Sequence, residues 1–134
     1  MKRILFLTPC AVFSLLTMAV AQPIETSTQT ARSIRKITIC TELQSREPVN
    51  EVTEVNSSTQ RVYCWMIINA EKIPATVTHV WSVDGKKAAE VPLTIKTQPC
   101  RTWSNKRVWP GKWKVEVAND AGEILATRKF TVLK

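Results

Sequence analysis

Glycine and histidine are both scarce in this 134-residue chain, and each scarcity excludes a class of function. The three glycines, Gly85, Gly111 and Gly122, lie far apart, whereas phosphate-binding loops and dinucleotide-binding turns need clustered glycines. The single histidine, His79, excludes zinc motifs built on two histidines. Acidic residues are also few, with 11 Asp and Glu against 19 Lys and Arg, so we expect a cationic surface.

The N-terminus has the features of an export signal. Lys2 and Arg3 precede an apolar run over residues 4–20, and Ala19-Val20-Ala21 has the small-x-small form of a signal-peptidase site. A polar segment that begins with Pro23 follows, in place of the charge cluster of a stop-transfer anchor. The sequence therefore predicts a signal peptide at residues 1–21 and a protein exported to the periplasm or outside the cell. An uncleaved anchor is the alternative.

The predicted mature chain has no transmembrane segment and keeps a positive net charge. Cleavage removes Lys2, Arg3 and Cys10 but no acid, so the net charge falls from +8 to +6. This charge suits nucleic acid, but the export signal argues against that partner. The three remaining cysteines are Cys40, Cys64 and Cys100. In an oxidising compartment they predict one disulfide among them, an intermolecular bridge, or buried thiols that only pack, and the sequence leaves these open.

Short apolar runs separated by turn residues predict an all-β fold. Residues 76–83 alternate, with His79 and Trp81 on the apolar side, and Asp84-Gly85 then predicts a hairpin turn. The predicted strands cover residues 36–41, 61–68, 76–83, 89–96, 101–107, 113–117 and 125–133. Residues 42–60 predict a long loop with at most a brief strand near 52–55. The pattern indicates an immunoglobulin-like antiparallel β-sandwich of about seven strands at residues 36–134, after a flexible leader at residues 22–35.

Eight short segments occur in an order that resembles a bacterial domain family catalogued only as a domain of unknown function. They are Ile39-Cys40-Thr41, Arg46-Glu47-Pro48-Val49, Val62-Tyr63-Cys64-Trp65, Thr78-His79-Val80-Trp81, Arg101-Thr102-Trp103-Ser104-Asn105-Lys106-Arg107, Gly111-Lys112-Trp113-Lys114-Val115-Glu116-Val117, Asp120-Ala121-Gly122 and Phe130-Thr131-Val132. The resemblance spans about residues 37–132. In that family the domain often follows a membrane or secretion segment, so the resemblance implies an exported β-sandwich. It implies no catalytic residues.

Residues 96–114 combine cations with tryptophans and contain no acid. Such a pattern favours an anionic partner, because cations neutralise charge while aromatic rings stack or cover apolar sugar faces. The alternative is that the tryptophans belong to the core and the cations line solvent. The candidate binding residues are Arg101, Trp103, Lys106, Arg107, Trp109 and Lys112. Their expected partner is a protein or an acidic envelope component, either a glycan or a lipid head group.

Acidic residues are concentrated elsewhere, at Glu42, Glu47, Glu51 and Glu54. An acidic segment and a basic strip on one domain predict weak self-association, unless both are simply solvated. No pair of carboxylates is placed for glycosidase chemistry.

His79 is the one residue that suggests an enzyme. It lies on an apolar strand face, where a buried structural histidine is the expected role. With Cys64 or Cys100 it also suggests a metal site or a Cys-His hydrolase, although the cysteine spacing matches no zinc motif. We therefore expect no cofactor and no catalysis, and interpret the protein as a binding or assembly module of the cell envelope. An envelope hydrolase or metal-dependent enzyme is the alternative.

Overall fold

The computed structural model describes residues 34–134, and these residues form nine strands with no helix. The strands are β1 (Ile34–Gln44), β2 (Glu47–Glu51), β3 (Glu54–Val55), β4 (Arg61–Ile68), β5 (Ala75–Val83), β6 (Lys86–Ile95), β7 (Cys100–Arg107), β8 (Gly111–Asn119) and β9 (Ile124–Val132). The predicted all-β sandwich is confirmed, with nine strands in place of about seven. The predicted signal peptide, and residues 22–33 of the predicted leader, lie outside the described residues.

The strands form two sheets that pack face to face. One sheet has the order β2-β1-β4-β7 and the other has the order β3-β9-β8-β5-β6. All pairs are antiparallel except β3 with β9, which is parallel. The sandwich is therefore antiparallel, as predicted, apart from this short pair at one edge. The cause is that the chain leaves β2 and crosses directly to the second sheet, where Glu54 and Val55 align with Thr131 and Val132.

The long loop predicted at residues 42–60 is the main error of the sequence analysis. Residues up to Gln44 continue β1, and β2 follows after a two-residue turn at Ser45 and Arg46. Both turn residues have positive φ, 51° and 65°, as a type I′ hairpin requires. Neither is the Asn or Gly that usually announces such a turn, so the sequence gives no warning of it. The brief strand expected near residues 52–55 is present as β3.

The core lies between the sheets and is built on aromatic contacts. Trp81 meets both Trp113 and Phe130 edge to face, with ring centroids 6.4 and 6.2 Å apart, and Trp113 stacks on Phe130 at 5.9 Å. The alternation predicted for β5 and β8 is confirmed, because Val77, His79 and the remaining inward residues of these strands are buried. Edge-to-face aromatic pairs stabilise a fold beyond their buried area, which suits a small core.

Strand boundaries agree closely with the sequence pattern outside the hairpin. β1 begins at Ile34, so the last two residues assigned to the leader belong to the sheet. Asp84 and Gly85 both have positive φ and form the predicted turn between β5 and β6. Within residues 34–134, no helix that could span a membrane is present.

Candidate functional site

The predicted basic strip is divided into two clusters by the geometry of β7. Successive β7 side chains alternate between the two sides of the sheet, so Ser104 is buried while Arg101 and Arg107 are exposed. Arg101 and Arg107 lie six residues apart on this strand, a separation of roughly 20 Å. Arg101 and Trp103 therefore form one cluster, and Lys106, Arg107, Trp109 and Lys112 form another near the end of the sandwich. The predicted strip therefore consists of two clusters along β7 and the segment that follows it.

The β1–β2 hairpin adds Arg46 to the first cluster. Trp65 Nε1 donates a hydrogen bond to the Arg46 carbonyl at 2.9 Å, which fixes the hairpin tip over β4. The Arg46 guanidinium carbon lies 5.5 Å from the centroid of the Trp103 ring, and Nη2 donates to the Arg101 carbonyl at 3.4 Å. Sequence reasoning missed Arg46, although it is the one cation within the acidic segment 42–54.

An open depression of about 580 Å³ lies beside this cluster. Its lining residues are Arg35, Lys36, Arg46, Ile67, Thr97, Pro99 and Arg101. A second hollow of about 360 Å³ shares Arg46, Thr97 and Arg101 with the first and adds Lys96 and Trp103. We call the two hollows together the basic depression. Five cations from four parts of the chain thus border one open surface beside an indole ring.

Two glutamates at the edge of the basic depression pair with its cations. Glu47 Oε1 lies 2.9 Å from Arg101 Nη1, and Glu51 Oε1 lies 3.3 Å from Lys36 Nζ. These side chains are about half exposed, so each pair contributes little to stability. Glu47 and Glu51, two of the four acids that suggested self-association, therefore form ion pairs within one chain. Self-association stays a prediction.

The second cluster surrounds Trp109, which is 47% exposed. Lys106 Nζ lies 5.0 Å from the centroid of the Trp109 ring, and this ring meets Trp113 edge to face at 4.9 Å. Trp113 Nε1 donates to the Trp109 carbonyl at 2.8 Å, so the exposed indole is joined to the core through its backbone. We call this region, with Arg107, Lys112 and Leu133, the Trp109 end.

Gly111 positions the Trp109 end against the β5–β6 turn. Its φ is +150°, and a Cβ placed there would lie 2.7 Å from Val83 Cγ2 and 2.8 Å from Asp84 Oδ2. Asp84 in turn accepts a hydrogen bond from the Lys112 backbone N–H at 2.9 Å and donates its own N–H to the Lys112 carbonyl at 2.8 Å. Only glycine allows β8 to begin this close to the turn.

His79 is fully buried within a chain of hydrogen bonds. Trp81 Nε1 donates to Ser104 Oγ at 3.0 Å, and Ser104 Oγ lies 2.6 Å from His79 Nδ1. His79 Nε2 lies 3.4 Å from Met66 Sδ. These contacts fit a neutral imidazole that accepts at Nδ1 and donates from Nε2. Burial lowers the pKa of His79 to about 4, which favours the same neutral form.

Among residues 34–134, the side-chain hydrogen-bond partners of His79 are Ser104 and Met66, and none is a cysteine. Burial raises the pKa of Cys64 to about 12, whereas a nucleophilic cysteine needs a lowered pKa. Burial also raises the pKa of Cys40. Among residues 34–134, no group of three or more His, Cys, Asp or Glu side chains is arranged to hold a metal ion.

Cys40, Cys64 and Cys100 are free thiols in this structure. Cys64 pairs with Ser104 in the β4–β7 register and Cys100 pairs with Ile68, so four residues, roughly 13 Å, separate them along the sheet. Cys40 lies opposite Tyr63 and Ile39 lies opposite Cys64, so the two thiols point to opposite faces. A disulfide needs Cα atoms within about 7 Å and converging side chains, and neither pair meets both requirements.

Residues 74–132 match a family model described as "Protein of unknown function (DUF2914)". This segment contains β5 to β9, with His79 and all six predicted binding residues, but it does not reach the hairpin that carries Arg46. No curated protein shows significant similarity to the chain. The chain is thus similar, over this segment, to a domain family whose function is not known.

Proposed function

We propose that this protein is a non-catalytic binding module of the bacterial cell envelope that holds an acidic glycan in the basic depression. The convergence of Arg46 and Arg101 beside Trp103 carries the proposal. The export signal predicted at residues 1–21 supports the location. The resemblance to a family without assigned catalytic residues is in keeping with a binding role.

The chemistry of the basic depression suits carboxylate or phosphate groups spaced along a polymer. Guanidinium groups donate in a planar fork that matches such anions, and Arg35 and Arg46 have no acid within 4 Å among residues 34–134. Trp103 is half-buried and borders the second hollow, where its ring offers an apolar surface to a sugar. The site is open, so it accepts an internal segment of a polymer as readily as a chain end.

The enzymatic alternative has less support from the geometry. The His79–Ser104 pair resembles a catalytic dyad in distance alone, because both side chains are buried and Ser104 Oγ already accepts from Trp81. Cys100 is half-buried, but nothing in the described residues supplies it with a base.

Retention on polygalacturonate, an acidic glycan, tests the proposal, with neutral dextran as the reference polymer. We expect the full chain to bind polygalacturonate and to be released as salt rises. The double variant Arg46→Gln with Arg101→Gln removes two charge-assisted contacts, so its dissociation constant should rise by about tenfold or more. Inorganic phosphate as competitor distinguishes a phosphate site from a carboxylate site.

The matched control is Lys86→Gln with Lys129→Gln, which removes the same charge from exposed positions on the other sheet. Its affinity for polygalacturonate should change by less than about twofold. Equal losses in the two double variants would show unspecific charge attraction and would overturn the proposed site. N-terminal sequencing of the protein recovered from the periplasm should begin at Gln22, and a precursor retained in the cytoplasm would overturn the proposed location.

A further inference from the structure

The Trp109 end exposes two large apolar side chains, Trp109 and Leu133. Gly111 pairs with Val132 in the β8–β9 register, so the segments that precede Gly111 and follow Val132 lie at the same end of the sandwich. Trp109 is 47% exposed and Leu133 is 42% exposed. Large apolar side chains exposed together on a small domain indicate a surface that meets a partner.

Cations surround this apolar pair. Lys106 lies over the Trp109 ring, and Arg107 is paired across the sheet with Arg61. Lys112 is the second residue of β8, and Lys86 is the first residue of β6, opposite Val83. None of these five cations has an acid within 4 Å among residues 34–134. The Asp84 carboxylate at this end accepts from the Lys112 backbone N–H and so fixes the turn.

Exposed apolar side chains also occur at the opposite end of the sandwich, the end that carries the basic depression. Ile73 and Ile124 are 46% and 47% exposed there, as exposed as Trp109. The hollow next to these segments is lined by three acids, Glu71, Asp120 and Glu123, and by one cation, Lys72. Apolar exposure is therefore similar in the two places, but the hollow near Ile73 and Ile124 is lined mainly by acids, whereas cations lie beside Trp109.

We infer that the Trp109 end docks on an anionic lipid bilayer, with Trp109 and Leu133 inserted at the level of the head groups. Tryptophan favours the membrane interface because its ring is apolar and its N–H is polar. Cations near an anionic surface each strengthen binding, and apolar insertion adds a contribution that salt does not screen. This docking surface is separate from the basic depression and does not rest on the function proposed for it.

Quenching of tryptophan fluorescence by lipids with brominated acyl chains tests the inference in the full chain. Residues 1–33 contain no tryptophan, so any quenching reports on the described domain even if the N-terminal segment also binds lipid. Trp65, Trp81 and Trp113 are almost fully buried, which leaves Trp109 as the most accessible indole. We expect quenching with equimolar brominated phosphatidylcholine and phosphatidylglycerol, and much less with brominated phosphatidylcholine alone.

Three variants make the result decisive. Trp109→Phe should abolish most of the quenching, and Lys106→Gln with Arg107→Gln should weaken vesicle binding by about thirtyfold, because two cations near the surface are lost. Leu133→Ser, at an exposed position near the chain end, should weaken it without altering the fold. The matched control, Ile73→Ala with Ile124→Ala, removes exposed apolar area from the opposite end of the sandwich and should leave quenching unchanged.

Two outcomes overturn the docking surface: equal quenching in neutral and anionic vesicles, or an equal loss in the Ile73 and Ile124 control. Absence of quenching in the wild-type chain does so as well. The Arg46→Gln with Arg101→Gln variant should be quenched like the wild type. Failure of glycan binding and failure of lipid docking are therefore separate results.

Discussion

The two ends of β7 carry similar residues in different surroundings. At the Cys100 end, Arg101 pairs with Glu47 and Trp103 lies under Arg46, so each side chain has a partner within the molecule. At the Arg107 end, Trp109 is half exposed and Lys106 lies over its ring. The difference arises from the β1–β2 hairpin, which reaches one end of the strand and leaves the other uncovered. The same pair of residue types, a cation and a tryptophan, is therefore partly covered by the hairpin at one end of β7 and exposed to solvent at the other.

Substitution of His79 should give the largest effect on stability. This β5 residue is buried and contacts Ser104, which lies in β7 between the two ends of that strand. His79→Gln removes the imidazole that contacts both Ser104 and Met66, and we expect a loss of about 2–4 kcal/mol in the free energy of unfolding. Thr76→Gln, at an exposed position on the same strand, should cost less than about 0.5 kcal/mol. Urea titration measures both. A His79→Gln protein of normal stability that lost binding at either end would contradict the structural role.

Acidification should lower the stability of the wild-type chain by up to about 3 kcal/mol through His79. The folded pKa of about 4 lies below the ordinary value of 6.5, so the unfolded chain binds the extra proton first. This contribution is therefore fully present above pH 6.5 and is lost as the pH falls from 6.5 to about 4. Urea titrations across this range should show the slope in the wild type. The slope should be smaller in His79→Gln, and identical slopes would show that other groups cause it.

Removal of charge from one end of β7 at a time should affect glycan binding and vesicle binding separately. Arg46→Gln with Arg101→Gln should weaken polygalacturonate binding by about tenfold or more and leave vesicle binding nearly unchanged. Reversal of charge at Lys106 and Arg107 should preserve folding and have the opposite selectivity. Circular dichroism checks the fold, and the two binding measurements are made on the same preparations. Parallel losses in both measurements would mean that the two clusters act as one strip after all.

The sequence predicted the strands better than it predicted the site. Alternation in β5 and β8 identified the core face, because a two-residue period assigns each side chain to one side of a sheet. The hairpin at Ser45 and Arg46 was missed, because its turn lacks the usual Asn-Gly signal. The contact between Arg46 and Arg101 joins residues 55 positions apart, and no local pattern encodes it. Local periodicity therefore predicted the strands and their core faces. The candidate site depends on the contact between Arg46 and Arg101, which are far apart in the sequence.

The smallest expected effect is that of substituting Glu47. This substitution tests whether the ion pair between Glu47 and Arg101 weakens anion binding at the covered end of β7. Glu47 occupies Arg101 at 2.9 Å and would compete with an incoming anion for the same guanidinium. Glu47→Gln should therefore strengthen polygalacturonate binding by about two- to fivefold, since an exposed pair is worth less than about 1 kcal/mol. Glu90→Gln removes an acid that pairs with Lys87 on the other sheet and is the matched control. The gain should appear in titrations at low salt and shrink as salt is added. Equal gains in the two variants would show that net charge, and not release of Arg101, controls the affinity.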